Sequence, residues 1–282
     1  MQTIALVADI HSNIYSLEAI LKDIHQKHKP DRMISLGDQV NLGPAPRETL
    51  AMLKQENIVC LHGNHERYIL SAMKHDPAYA GANFASLEFN ARHLCEEEIS
   101  FPKSLTIDGI TFCHAMPDDD RFPIDDYQQA LPRLQAMRFD QPTHIICGHS
   151  HNPTHYALHN LIIDSIGSSG CMDDGVPGVA SYTMLYLSPG KTILKPCFVR
   201  YDPTPLKALY VKSGFADACP IMAHITCLQL QNNYDYLSKF VGKARALQTL
   251  KKEPVMSMET WRETDRHFNW AGGVSTAEFW KK

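Results

Sequence analysis

The chain has 282 residues, 44% of them apolar and 21% charged, with a formal charge of -4 and a pI near 6.4. This is enough to bury a large core without disulfides, and the mildly acidic balance argues against a surface built for nucleic acid or an anionic membrane. Eight cysteines without a Cys-x-x-Cys pair read as reduced thiols. No segment approaches the roughly 18 apolar residues of a membrane span, so a cytoplasmic protein is expected.

In chain order, residues 3–8 form a first strand rather than a signal peptide, because no basic segment precedes them and Asp9 cuts the apolar run. Asp9-x-His11 follows at once. Ile14, Leu17, Ile20, Leu21 and Ile24 then space out one helical face. A second strand at 32–36 runs into Gly37-Asp38, and a helix begins near Pro46 with Thr49, Leu50 and Leu53. A third strand at 58–61 ends in Gly63-Asn64-His65-Glu66, followed by a helix carrying Tyr68, Ile69 and Ala72. The apolar run at 110–113 leads to His114, and that at 144–147 leads to Gly148-His149-Ser150-His151. Further strands are expected at 161–164, 182–187 and 192–199. Strand and helix alternate early, which indicates an α/β layered domain; the late strands lack long intervening helices, so part of the sheet structure is expected to be antiparallel.

Beyond residue 230 the pattern changes. Leu237, Val241, Ala244 and Leu247 form a narrow apolar stripe with Lys239, Lys243 and Arg245 opposite, Pro254 ends or kinks it, and all three tryptophans lie farther on. The stripe admits three readings: a helix packed on its own domain, a homodimer contact, or a lid over a site.

Five strand ends thus carry Asp, Asn and His toward one rim, where α/β sheets bind ligands. Two divalent ions a few ångströms apart need a carboxylate that can bridge and neutral nitrogen ligands that leave the cluster cationic. Two aspartates, four histidines and one asparagine amide supply that set. Imidazole with carboxylate suits Mn, Fe, Zn or Ni better than Mg or Ca.

At these segments the chain resembles the calcineurin-like metallophosphoesterases, whose pattern is Asp-x-His, Gly-Asp, Gly-Asn-His-Asp/Glu, a lone His and Gly-His-x-His. All five elements occur in order across residues 9–151. The resemblance implies a layered αββα sandwich of two mixed sheets flanked by helices. Residues 1–230 would be the metallophosphoesterase domain and 231–282 a C-terminal helical extension. It implies that Asp9, His11, Asp38 and His151 hold one metal ion, and that Asp38 bridges to a second completed by Asn64, His114 and His149. The implied cofactors are two divalent or mixed-valence transition-metal ions, Mn or Fe, with Zn or Ni as alternatives. His65 would stand near the leaving group as general acid or hydrogen-bond donor. Asn41 occupies the place of the Asp that orients this histidine in the phosphoprotein phosphatases, where it can accept from the imidazole.

The wording around Asp9 and Asp38 looks most like the small prokaryotic phosphodiesterase branch. The phosphoprotein phosphatases carry Asp-Arg where this chain has Asn41-Leu42, and Arg where it has His62, so both of their phosphate-gripping arginines are missing. Arg121, Arg47 and Arg67 are the candidate substitutes, and His62, beside the site, is a candidate substrate contact. Ser165-Ile166-Gly167-Ser168-Ser169-Gly170 replaces a loop that borders the pocket in relatives. The expected activity is hydrolysis of small phosphodiesters or nucleotides, diadenosine tetraphosphate among them, by a water activated between the metals. A Ser/Thr-type protein phosphatase or phosphomonoesterase is the alternative enzyme, and a non-catalytic scaffold of the same fold the alternative outside enzymes. The expected partner is a small phosphorylated substrate, with neither membrane nor nucleic acid.

Overall fold

The computed structural model describes residues 1–281, with ten strands in two five-stranded sheets. In the first, β1 (Gln2–Val7), β2 (Arg32–Ser35) and β3 (Val59–Cys60) run parallel, β9 (Val179–Ser188) pairs antiparallel with β1, and β10 (Lys191–Arg200) forms the edge. In the second, β5 (Ile110–Cys113), β6 (Thr143–Cys147) and β8 (Leu161–Ile166) are parallel, flanked by antiparallel β4 (Ser104–Ile107) and β7 (Pro153–Leu158).

β1 is apolar on both faces because both are covered. Ile4 and Leu6 meet Ile34 and Leu185 of their own sheet and Phe112, Ile146 and Ile166 of the other. Ala5 and Val7 lie under Leu17, Ile20 and Ile24 of α1 (Ile14–Lys27). The outer face of the second sheet, Ile145, Cys147 and Ile163, is covered by Ala130 and Leu134 of α6 (Tyr127–Ala136). Each buried aliphatic side chain contributes about 1.5–3 kcal/mol. The order helix, sheet, sheet, helix is the mixed αββα sandwich that the motifs imply. Its first half also carries α2 (Pro46–Gln55), which starts at the expected proline, α3 (Asn64–Met73), α4 (Ala85–His93) and α5 (Glu96–Ile99).

All eight expected strands form. The two that periodicity misses, β4 and β7, are edge strands with half of their residues in water, and β7 opens on Pro153, which an edge tolerates.

The C-terminal part is helical: α7 (Leu206–Lys212), α8 (Phe215–Ala218), α9 (Pro220–Asn232), α10 (Tyr236–Lys251), α11 (Met258–His267) and α12 (Thr276–Phe279). α9 is the centre, with Ile221, Met222, Ala223, Ile225, Cys227 and Leu230 buried round its circumference. A helix apolar on every side has no amphipathic period to read. The stripe of α10 packs into the same cluster through Leu237, Val241 and Ala244, together with Leu42 and Cys171 of the sandwich loops. Ala244 is thereby fully buried by its own chain, while Leu237 and Val241 stay half-buried. Trp261 meets Phe240 edge-on at 4.7 Å, and Trp270 stacks on it at 5.5 Å.

His224 of α9 lies between the rings of Trp270 and Phe279, each 4.1 Å away, and its Nδ1 faces Thr276 Oγ1 at 2.8 Å. Burial, helped by Lys207, pulls its pKa from 6.5 down to about 3. The unfolded chain therefore binds the extra proton between those values. The stability from neutral His224 is complete above pH 6.5 and is lost progressively as pH falls toward 3. Between pH 7 and 5 the loss is about 2 kcal/mol. Urea unfolding of wild type and His224→Phe at both pH values tests this. The wild type should lose about 2 kcal/mol more than the variant, and equal losses would refute the assignment.

Candidate metal centre

The strand ends are brought together by their own backbones. Past β1 and β2, the N–H groups of Asp9, His11 and Ser12 donate to the carbonyls of Gly37, Asp38 and Gln39 at 3.1, 3.0 and 2.9 Å, so the two loops run side by side. Glu66 adds the third loop. Its buried carboxylate accepts from the N–H groups of Gly63 (2.9 Å), Asp38 (3.0 Å), Gln39 (2.9 Å) and Val40 (3.3 Å). Asp9 captures the fifth loop, accepting from the His149 N–H at 2.9 and 3.2 Å through its two oxygens.

Sharp turns aim the side chains. Asp9, His11, Asp38, His149 and His151 have φ of 51°, 49°, 54°, 69° and 55°, a left-handed conformation that costs a non-glycine residue about 1–3 kcal/mol. Gly63 and Gly148 answer a different need, close approach. A Cβ on Gly63 would collide with the Asp38 carboxylate, and one on Gly148 would stand 2.6 Å from Asp9 Oδ2 and 2.7 Å from the Ala8 Cβ.

The ligand atoms form adjoining clusters. Asp9, His11 and His151 make one; Asp38, His114 and His149 make another; and Asp38 also groups with His11 and His65. His114 Nδ1 donates to the Leu36 carbonyl at 2.9 Å, which leaves Nε2 as a lone pair aimed at Asn64 Oδ1 (2.9 Å) and Asp38 Oδ2 (3.3 Å). His151 Nδ1 is likewise taken by Asp173 Oδ1 at 3.0 Å, so its Nε2 faces His11 Nε2 at 3.1 Å and Asp9 Oδ1 at 3.7 Å. His11 Nδ1 is buried without a partner among the described residues.

Acceptors converging on acceptors can share a cation, either a proton or a metal ion, and the protons show where. Burial alone would lower His114, but the Asp38 carboxylate raises it to about 9. Asp173 similarly overcomes burial at His151 and holds it well above its ordinary value. Burial is opposed at Asp38 by His114 and His65, which keep it well below the carboxylate range, whereas burial lifts Asp9 to about 6. Burial and His114 take His149 down to about 3. A metal ion and these protons would compete for the same lone pairs. The donor set, imidazole nitrogen with carboxylate and amide oxygen, fits a transition-metal pair.

His65 stands at the open side of the cluster, its ring 4.7 Å from that of His11 and its Nε2 3.9 Å from Asp38 Oδ2. Its relation to Asn41 differs from expectation. Asn90 Nδ2 donates to Asn41 Oδ1 (3.2 Å) and to the Ser86 carbonyl (2.9 Å), which turns the Asn41 amide so that its Nδ2 donates to His65 Nδ1 at 2.7 Å. Asn41 is a donor to this imidazole, not an acceptor. His65 then carries its proton on Nε2, facing the cleft.

Of the candidate substrate residues, Arg121 lines the large cleft beside His65. Arg67 does not. Its guanidinium grips Asp120 at 2.7 and 2.8 Å, donates to Tyr79 Oη at 3.0 Å and covers the Tyr68 ring at 4.9 Å, so its donors are spent on holding the wall. His62 lines a separate cleft of about 140 Å³ behind His114. Arg47 donates to the His93 carbonyl and lies on yet another cleft. Nor does the loop at 165–170 line the large cleft. Ser168 Oγ donates to the Asp9 carbonyl (2.7 Å) and its N–H to the His151 carbonyl (3.0 Å), so this loop clamps ligand backbones from behind.

Asp173, Gln229 and Asn90 escape the sequence reading. Gln229 Nε2 donates to Asp173 Oδ1 (3.2 Å) and Cys171 Sγ (3.3 Å), while its Oε1 accepts from the Leu237 N–H at 2.9 Å. A polar residue within the apolar α9 is the only signal that could have found this link.

Comparison with known proteins agrees with the geometry. The model of the calcineurin-like phosphoesterase family matches residues 2–159. An uncharacterized protein of Methanocaldococcus jannaschii is 28% identical over 158 residues, 53% of this chain and 63% of that protein. A symmetrical bis(5'-nucleosyl)-tetraphosphatase of Pseudomonas syringae pv. syringae is 34% identical over 70 residues, 24% of each chain. The chain thus spans less than two thirds of the first relative's length and about a quarter of the second's. A metallophosphoesterase of Sphaerobacter thermophilus shares the fold, with a TM-score of 0.60 at 22% identity over 82% of this chain and 100% of that one. The matched segment is more than half the chain and contains every strand end that feeds the buried aspartate and histidine cluster: the chain belongs to the calcineurin-like phosphoesterase family.

Proposed function

We propose that the protein is a dinuclear metal-dependent phosphoesterase acting on small phosphodiesters or nucleotides. The observation that carries this reading is Asp38, one buried carboxylate that adjoins two separate sets of nitrogen donors. Asp9, His11 and His151 with Asp38 would hold one ion, and Asn64, His114 and His149 with Asp38 the other, Mn or Fe by donor type. When bound, such a pair supplies Lewis acidity toward phosphoryl oxygens and an acidified water at phosphorus.

The chain's own groups do the rest. His65 Nε2–H faces the cleft and donates to the leaving oxygen, and Asn41 fixes the ring for that task through Nδ1. Arg121 adds positive charge to the cleft beside His65. A nucleotide substrate is supported by the partial likeness to the bis(5'-nucleosyl)-tetraphosphatase, and diadenosine tetraphosphate is the specific candidate. Asn41-Leu42 and His62 in place of the phosphatase Asp-Arg and Arg speak against a phosphoprotein. A Mn²⁺-supplemented panel of bis- and mono-aryl phosphates, nucleotides and a phosphopeptide tests the reading. Diesters or nucleotides should lead, and silence on every compound with metal bound would reject it.

Asp173 supports His151 from behind, and removing such a partner lowers metal affinity about 10–100-fold. Asp173→Ala should show that loss in a Mn²⁺ competition titration against a chelating dye. Unchanged affinity would mean that Asp173 does not position His151.

A further inference from the structure

We infer that α10 forms the wall that selects the organic half of the substrate, and that this half carries a flat apolar ring and a second anionic group. The inference rests on the phosphoesterase reading above. A cleft of about 540 Å³ runs from Asn64 and His149 past His65 and away from the metal ligands. That volume lies in the range of sites for whole small molecules and far exceeds what a phosphate needs.

Its two sides come from different parts of the chain. Tyr68, Tyr79 and Phe84 form one, with successive ring centroids 5.1 Å apart. Met222, Leu237 and Val241 of α9 and α10 form the other. An apolar slot with an aromatic side suits a planar ring.

Two arginines complete it. Arg67 and Arg133 are consumed by Asp120 and Asp119. Arg121, on the sandwich side, and Arg245, on α10, line the cleft and take part in no ion pair among the described residues. The metal cluster would neutralise one phosphate, so these guanidiniums are available to a second anionic group.

Gly242 adds an independent mark. It sits in the interior of α10 and lines the cleft, and a Cβ there would meet nothing within 4 Å. Glycine in a helix interior costs about 1 kcal/mol relative to alanine. Packing does not require it, and in this reading it keeps that stretch of the cleft open for an occupant. The wall is also tied to the metal centre, because Gln229 holds both the Leu237 N–H at the start of α10 and the Asp173 carboxylate that touches His151.

Calorimetric titration of the Mn²⁺-loaded full chain with adenosine diphosphate, adenosine monophosphate and inorganic phosphate tests this. The diphosphate should bind at least ~10-fold tighter than phosphate, with the monophosphate between. Arg245→Ala should bring the diphosphate to within ~3-fold of the monophosphate; the residue is exposed and unpaired, so its loss does not threaten the fold. Gly242→Trp should bring both nucleotides to within ~3-fold of phosphate. Equal wild-type affinities, or variants that leave the ratios unchanged, overturn the inference even if aryl phosphates are hydrolysed. Nucleotide binding with the expected ratios, but no hydrolysis of any ester, keeps the wall and rejects the phosphoesterase reading.

Discussion

Asp38→Asn is expected to reduce bound Mn²⁺ from two ions per chain to one or none and to lower kcat by at least ~10³-fold. The residue is 1% exposed, and its Oδ2 lies 3.3, 3.9 and 3.9 Å from Nε2 of His114, His11 and His65. Among the described residues, no other carboxylate shares a cluster with both His11 and His114. Asparagine keeps the oxygen that accepts from the His65 N–H (2.8 Å in the native chain), so the loop geometry has a means to survive while the shared charge is removed. Metal analysis after gel filtration, kcat on bis(p-nitrophenyl) phosphate and a melting curve read the three quantities separately. Two retained ions with a loss in kcat under tenfold would show that Asp38 is not the shared ligand.

His65→Ala should behave differently: both ions retained, and kcat reduced about 10²–10⁴-fold, the usual contribution of a positioned proton donor. The loss should grow with the pKa of the leaving alcohol. A p-nitrophenyl ester, whose leaving group needs little protonation, should lose less than an alkyl or nucleoside ester. The reason is the hydrogen bond from Asn41 to Nδ1 (2.7 Å), itself fixed by Asn90, which places the imidazole proton on Nε2. Equal losses on both esters would remove the leaving-group role, and loss of metal in this variant would make His65 a ligand.

The Asp/His cluster was legible in the sequence because each candidate ligand sits within a few residues of a strand end, and a short apolar run followed by Gly-Asp or Gly-His is a local pattern. Glu66 was visible as part of that pattern, though its task of accepting four backbone N–H groups appears only when the loops meet. What the sequence concealed lies at long range. Asp173 reaches His151 from 22 residues away, and Gln229 reaches Asp173 from 56; no spacing rule connects them. Asn41 could be located but not oriented, since Asn90 on α4 decides which end of its amide faces His65. Arg67 is a candidate substrate contact by sequence, but Asp120, 53 residues farther on, takes its guanidinium. Among the helices, α10 declared itself by a stripe, while α9, buried on all sides, had no period to betray it.

The most direct test of the central claim is the rate of bis(p-nitrophenyl) phosphate hydrolysis by chelator-stripped protein as a function of Mn²⁺ bound per chain. The expected result is negligible turnover without metal, a rise that depends on the second ion, and a plateau at two ions per chain. A plateau at one ion, or two ions bound with no turnover of this or any phosphate ester, would contradict the account.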